Sequence, residues 1–145
     1  MFDSVLVATD GSETAGQAVK VATEMARTFG ATLHIANVYR SGGGGAVKVP
    51  EMTMAPPEGL DRGSVAETQT ESVASEARAK GLTVETHVVS GNVADSVVAI
   101  AEKQNIGLIV VGNKGMKGIK RVLGSIPNDI AHSAPCAVLI VNTTS

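Results

Sequence analysis

Two stretches of the chain gather the residue types that grip anions. The first is Thr9-Asp10-Gly11-Ser12, directly after the apolar run Ser4-Val5-Leu6-Val7-Ala8. The second follows Leu108-Ile109-Val110-Val111 and reads Gly112-Asn113-Lys114-Gly115-Met116-Lys117-Gly118, continuing to Gly124-Ser125. Glycines let backbone N–H groups come close to an anion, and a helix starting near Ser125 would add unpaired donors and a positive dipole end. Residues 112–125 also hold Lys114, Lys117, Lys120 and Arg121 with no acidic residue, a cationic patch in a chain of net charge −2. The plain alternative is a set of tight turns with solvated lysines. Strand, glycines, serine and helix together favour phosphate. Asp10 has two open readings: it caps the turn into the next helix, or it accepts a ribose hydroxyl or holds a metal-bound water.

Other chemistries fit poorly. Neither G-x-G-x-x-G after a strand nor G-x-x-x-x-G-K-[ST] occurs. Ser125 sits in Leu-Gly-Ser-Ile-Pro rather than G-x-S-x-G, with no neighbouring His-Asp pair, which argues against a serine hydrolase. His34, His87, His132 and Cys136 are scattered, so they read as structural rather than as a metal site. Asn142-Thr143-Thr144 matches a glycosylation sequon, which carries little meaning in a cytosolic chain.

The elements that must position the two loops follow from periodicity. Besides the two runs above, Leu33–Val38 and Ala137–Val141 are short and rich in branched aliphatics, as strands buried in a parallel sheet are. Leu82–Val89 alternates in a way that suits an edge strand. Between these runs lie four predicted helices: 13–29 capped by Ser12, 64–80 with a thin stripe of Val65, Val73 and Ala77, 92 or 94 to 104, and 126–133 capped by Ser125. Strands alternating with helices predict an open parallel sheet covered on both sides. In such sheets ligands bind beyond the carboxyl ends of strands, so the two loops would face one crevice if their strands are neighbours. Residues 39–63, with Gly42–Gly45, Pro50 and Pro56-Pro57, have the composition of a flexible insertion.

Composition bounds the class. A length of 145 residues predicts one domain, 1–145, and 43% hydrophobic with 18% charged residues excludes a disordered acidic chain or a basic nucleic-acid arm. Three aromatics, with no Trp, exclude a stacking platform for single-stranded nucleic acid. No apolar run approaches the ~18 residues of a membrane span, and Met1-Phe2-Asp3 does not open a signal peptide. A lone Cys136 fits a reducing compartment. The expectation is a soluble cytoplasmic domain with no nucleic-acid or membrane partner.

Taken together, Val5–Ser12, the segment Val111-Gly112-Asn113-Lys114-Gly115, the segment Gly124-Ser125-Ile126-Pro127 and the closing Ala134–Val141 resemble the universal stress protein family. The Ser90-Gly91-Asn92-Val93-Ala94 turn adds to the likeness. The resemblance implies an α/β, Rossmann- or flavodoxin-like five-stranded parallel sheet of order 3-2-1-4-5, and a homodimer. One branch of the family binds ATP through Gly, two residues, Gly, nine residues, Gly and Ser or Thr. Gly112, Gly115, Gly124 and Ser125 take those places here, with eight residues (Met116–Leu123) in the long gap, which brings AMP and cyclic AMP in as alternatives. The same likeness puts Asp10 at the ribose or phosphate edge, the Val38 backbone on adenine, and Asn113, Lys114 and Ile126 on the phosphate side, with Thr9 and Gly11 in the facing loop. It also implies Mg²⁺ or Mn²⁺ accompanying ATP.

The resulting expectation is an adenine-nucleotide-binding regulatory protein of the stress response. Catalysis would be at most slow ATP hydrolysis, since no general base is evident beside a nucleophile. The alternative is a dimeric signalling module of the same family that works without nucleotide. Ala137–Val141 gives the dimer a physical motive, because a strand apolar on both faces at a sheet edge invites pairing.

Overall fold

The computed structural model of the protein describes residues 1–40, 47–49, 52–54, 61–113 and 125–143. In chain order the elements are β1 (Ser4–Ala8), α1 (Glu13–Phe29), β2 (Thr32–Tyr39), β3 (Val47–Val49), β4 (Met52–Met54) and α2 (Arg62–Ala79). β5 (Val84–Ser90), α3 (Val93–Lys103), β6 (Leu108–Gly112), α4 (Ser125–Ser133) and β7 (Ala137–Val141) follow. Five strands form one parallel sheet in the order β5-β2-β1-β6-β7, the 3-2-1-4-5 arrangement that the family resemblance implies.

The sheet is buried on both faces, which is why its central strands are almost wholly aliphatic. Val5, Val7, Leu33, Ile35, Leu108 and Val110 pack beneath α1 and α2. Leu6, Ala36, Ile109 and Val111 face the opposite way, toward α3 and Ile130 of α4. Each fully buried Val, Leu or Ile contributes about 1.5–3 kcal/mol of transfer free energy. With so few aromatics, close approach replaces bulk. α1 presents Ala18, Ala22 and Ala26, all fully or almost fully buried, at a spacing of four that keeps one small-residue face against the strands.

α2 departs from its sequence reading in two ways. It begins at Arg62 rather than Ser64, because the Asp61 carboxylate caps it by accepting the Ser64 N–H at 2.7 Å. That bond holds the Asp61 carboxyl below its ordinary pKa. The buried stripe is Ala66, Thr70, Ala74 and Ala77, while Val65 and Val73 are only half-buried. Thr70 is tolerated inside because its hydroxyl donates to the Ala66 carbonyl at 2.7 Å. The strand after α2 also starts later than expected, at Val84, because Leu82 still belongs to the turn closing the helix, where its N–H donates to Ala77 O.

The irregular stretch drawn at 39–63 is too broad at both ends. Tyr39 completes β2, and Arg62 and Gly63 open α2. Within it β3 and β4 pair antiparallel as a separate two-stranded sheet, with Lys48 opposite Thr53.

Candidate functional site

At the carboxyl end of the sheet, β1 stops at Ala8 while its neighbour β2 runs on to Tyr39. This difference in length opens a crevice of about 200 Å³. Its floor comes from Ala8, Thr9 and Asp10 after β1, and from Val38 and Arg40 at the end of β2. Gly112 closes β6, and the N-terminal ends of three helices supply Thr14, Ala15 and Ala18 from the first two turns of α1, Val93 of α3 and Ile126 of α4.

The wall formed by β2 has a specific polar edge. In a parallel strand, alternate residues turn their backbone groups to opposite neighbours. Thr32 N–H bonds Asp3 O and Ala36 O accepts from Thr9 N–H, so even-numbered residues of β2 face β1. Leu33 N–H bonds Thr83 O and Tyr39 O accepts from Gly91 N–H, so odd-numbered residues face β5. Val38 is the next even residue after Ala36. Its N–H and C=O therefore point to the side that β1 has vacated, into the crevice, as a donor–acceptor pair of fixed spacing.

The β1–α1 turn is built differently, and most of its donors are already used. Gly11 N–H donates to Thr9 Oγ1 at 3.1 Å, Ser12 N–H to Asp10 Oδ1 at 2.9 Å, and Ala15 N–H to Ser12 Oγ at 3.1 Å. Thr9 is buried, and Asp10 is exposed at the crevice wall. Of the two readings for Asp10, the turn-closing one is therefore present, with its carboxylate still lining the crevice. Gly11 is required here: its φ is +82°, and a Cβ would stand 2.8 Å from Gln69 Cδ. Gln69 is in turn held by buried Asn37, whose Nδ2 donates to Gln69 Oε1 and to Ala66 O, both at 3.3 Å. Gly11 and Ser12 line a second cavity of about 240 Å³ between α1 and α2 rather than the crevice itself.

On the opposite wall, Gly112 carries no side chain because the space is taken: a Cβ there would meet Thr143 Cγ2 at 3.0 Å. Asn113 stands next to the crevice, yet its carboxamide turns to the segment after β7. Oδ1 accepts the Thr143 N–H at 2.9 Å and the Thr143 hydroxyl at 3.0 Å, and Nδ2 donates to Asn142 Oδ1 at 3.2 Å. Ser125 opens α4 and is exposed, with Ile126 beside it in the crevice wall. Lys114, Gly115 and Gly124 lie outside the described residues, as do Lys117, Lys120 and Arg121.

The structure thus gathers Thr9, Asp10, Val38, Gly112 and Ile126 around one crevice. Sequence reasoning missed Thr14, Ala15, Ala18, Arg40 and Val93. The signal for the helical ones lay in the caps: Ser12 and Asn92 each accept the N–H three residues on, so the first turns of α1 and α3 begin at the crevice. Arg40 follows Val38 by two residues and shares its side of the strand. Tyr39, between them, lies against Gly63, where a Cβ would come within 3.0 Å of its hydroxyl.

Two of the histidines that are far apart in the sequence meet in the structure. His34 and His87 pair with each other, Nδ1 to Nε2 at 3.0 Å with rings stacked 10° from parallel. Burial holds both below their ordinary pKa, opposed by Glu85, with His87 lowering His34 further and Lys103 lowering His87 further. Burial also pushes the Cys136 thiol up, so it stays protonated. Among the described residues no group of three or more His, Cys, Asp or Glu side chains is placed to hold a metal ion, and no helix is long and apolar enough to cross a membrane.

These features match known proteins over nearly the whole chain. Residues 1–142 match the universal stress protein family. The chain is 33% identical to universal stress protein YxiE of Bacillus subtilis, covering 97% of this chain and 99% of that one. Among solved structures, a universal stress protein in complex with cAMP superposes with a TM-score of 0.75 at 30% identity, covering 99% of this chain and 98% of that one. The universal stress protein of Archaeoglobus fulgidus in complex with dAMP shares the fold, with a TM-score of 0.69 at 20% identity over 94% of this chain and 95% of that one. The chain belongs to the universal stress protein family.

Proposed function

We propose that the crevice binds an adenine nucleotide and that the protein acts as a cytoplasmic regulator reading that nucleotide. The observation that carries this is the Val38 edge. One backbone donor and one acceptor, side by side on a rigid strand, complement the donor and acceptor on the Watson–Crick edge of adenine. Ala15, Ala18, Val93 and Ile126 give the base and sugar apolar surroundings. Thr9 and Asp10 form the ribose side, with Gly11 behind them on the second cavity. The phosphate lies toward Gly112, Asn113 and the N-terminus of α4 at Ser125 and Ile126, with Lys114, Gly115 and Gly124 in the connection between them.

Cyclic AMP and AMP are favoured over ATP on two grounds. The glycine gap is eight residues rather than nine, and the cAMP-bound relative is similar over the full length. When ATP does bind, a Mg²⁺ or Mn²⁺ ion would rest on phosphate oxygens and on the Asp10 carboxylate. The reading is of a binding protein: among the described residues lining the crevice, no base is held against a nucleophile. Titration calorimetry with cyclic AMP, AMP and ATP tests it: at least one should bind with Kd well below ~1 mM, the limit corresponding to about −4 kcal/mol. Failure of all three at that concentration refutes the reading.

A second reading concerns assembly. β7 is the outer strand of the sheet and carries only Ala, Val, Leu and Ile, with Ile140 37% exposed. We propose that two copies pair along this edge to form a homodimer, which is also the assembly the nucleotide-independent alternative requires.

A further inference from the structure

We propose that Thr143 is a positioning residue for the crevice, holding the point where β6 gives way to the connection leading to α4. The inference rests on the nucleotide reading of that crevice, and it assigns a role to a residue some 30 positions further along the chain.

Four contacts converge there. Asn113 N–H donates to Val141 O at 3.0 Å, which extends the β6–β7 pairing one residue beyond Gly112. Asn113 Oδ1 then accepts two hydrogen bonds from Thr143, one from its backbone N–H and one from its hydroxyl. A backbone N–H can only donate, so the carboxamide has a single orientation, with Nδ2 toward Asn142. Finally, the Thr143 methyl stands where a side chain at 112 would project, 3.0 Å from the position of a Cβ there, with Ala18 Cβ 3.9 Å from the same position. Thr143 is only 7% exposed, so these bonds form largely out of water, where an unmade partner is costly.

The consequence is mechanical. Gly112 lines the crevice, and its neighbour begins the segment that carries Lys114 and Gly115. A site is only as well placed as the residues that support it. With Thr143 in place, Gly112 is backed by a methyl group and Asn113 is bonded on every polar atom of its side chain. The Asn113 side chain thereby acts as an anchor for the connection and is withheld from the ligand.

The test uses the full chain with Thr143→Ala, which removes hydroxyl and methyl, and Thr143→Ser, which keeps the hydroxyl. Amide exchange at Gly112 and Asn113 is followed by NMR, and cyclic AMP and ATP affinities are measured by calorimetry. Thr143→Ala should speed exchange at Asn113 and weaken nucleotide binding by roughly 5- to 10-fold, the loss expected for about one buried hydrogen bond. Thr143→Ser should recover most of both, and exchange in β2 and β5 should stay at the wild-type rate. Unchanged exchange at Asn113 in Thr143→Ala overturns the proposal. So does faster exchange with unchanged nucleotide affinity, which would mark Thr143 as structural only. If the wild-type chain binds neither of these nor AMP, the functional reading fails, and the exchange comparison still decides whether Thr143 holds Asn113.

Discussion

The two edges of the main sheet solve the same problem in opposite ways. β5 is guarded: of its seven residues, Glu85, Thr86 and Ser90 are exposed, and His87 is tied inward to His34 on β2. β7 has no polar residue from Ala137 to Val141, and Ile140 stands exposed on it. Charged and polar side chains keep an edge from pairing, whereas an apolar edge is a template for it. The contrast teaches where each edge spends its stability. β5 is finished within the chain by side-chain bonds, whereas β7 keeps an apolar edge that the proposed dimer would cover.

The largest effect should come from charging the open edge. Ile140→Lys places two like charges near each other across the proposed interface, and the dimer dissociation constant should rise on the order of 100-fold, about 2.7 kcal/mol. Sedimentation velocity at micromolar concentration would show monomer in place of dimer. A dimer that survives unchanged would move the interface elsewhere.

Next in size is His34→Ala on the guarded side. It empties a site only 4% exposed and removes the partner of His87, at a cost of about 2 kcal/mol in unfolding free energy. Denaturant melts would measure this, and the oligomeric state should be unaltered.

The same pair sets a pH response confined to the guarded side. Both histidines have folded-state pKa values below the ordinary 6.5, chiefly through burial. The unfolded chain therefore binds more protons in that window, so stability is full above 6.5 and falls as pH drops from 6.5 through the lowered values. The slope should vanish when both histidines are replaced by Leu. A slope of equal size in that double variant would place its source elsewhere.

The smallest effect is a control. Thr86→Lys adds charge to an exposed position on β5 and should change stability by less than about 0.5 kcal/mol, with assembly unmoved. Any shift toward monomer would mean that β5, too, is an interface.

How much of this was legible beforehand depended on distance along the chain. The strands were plain because double-sided burial writes uninterrupted runs such as Leu108–Val111, and Ser12 and Asn92 announced their helices locally. The face of α2 was read correctly only at Ala77; Ala66 and Ala74 are buried for their smallness, a signal that a search for large apolar residues passes over. Val38 entered through family likeness, and the structure supplied its reason in the unequal lengths of β1 and β2. The commitment of Asn113 to Asn142 and Thr143 had no local sign. It is a contact between residues 29 and 30 positions apart, and in the sequence Asn142 and Thr143 read only as part of a sequon.

Tyr39 makes the molecule its own instrument. The chain has no Trp and this single Tyr, so emission excited in the tyrosine band, to the red of phenylalanine absorption, comes from one ring. That ring lies against Gly63, and its two chain neighbours, Val38 and Arg40, both line the crevice. Filling the crevice should therefore register as a change in tyrosine fluorescence, with no label and no second tyrosine or tryptophan in the protein.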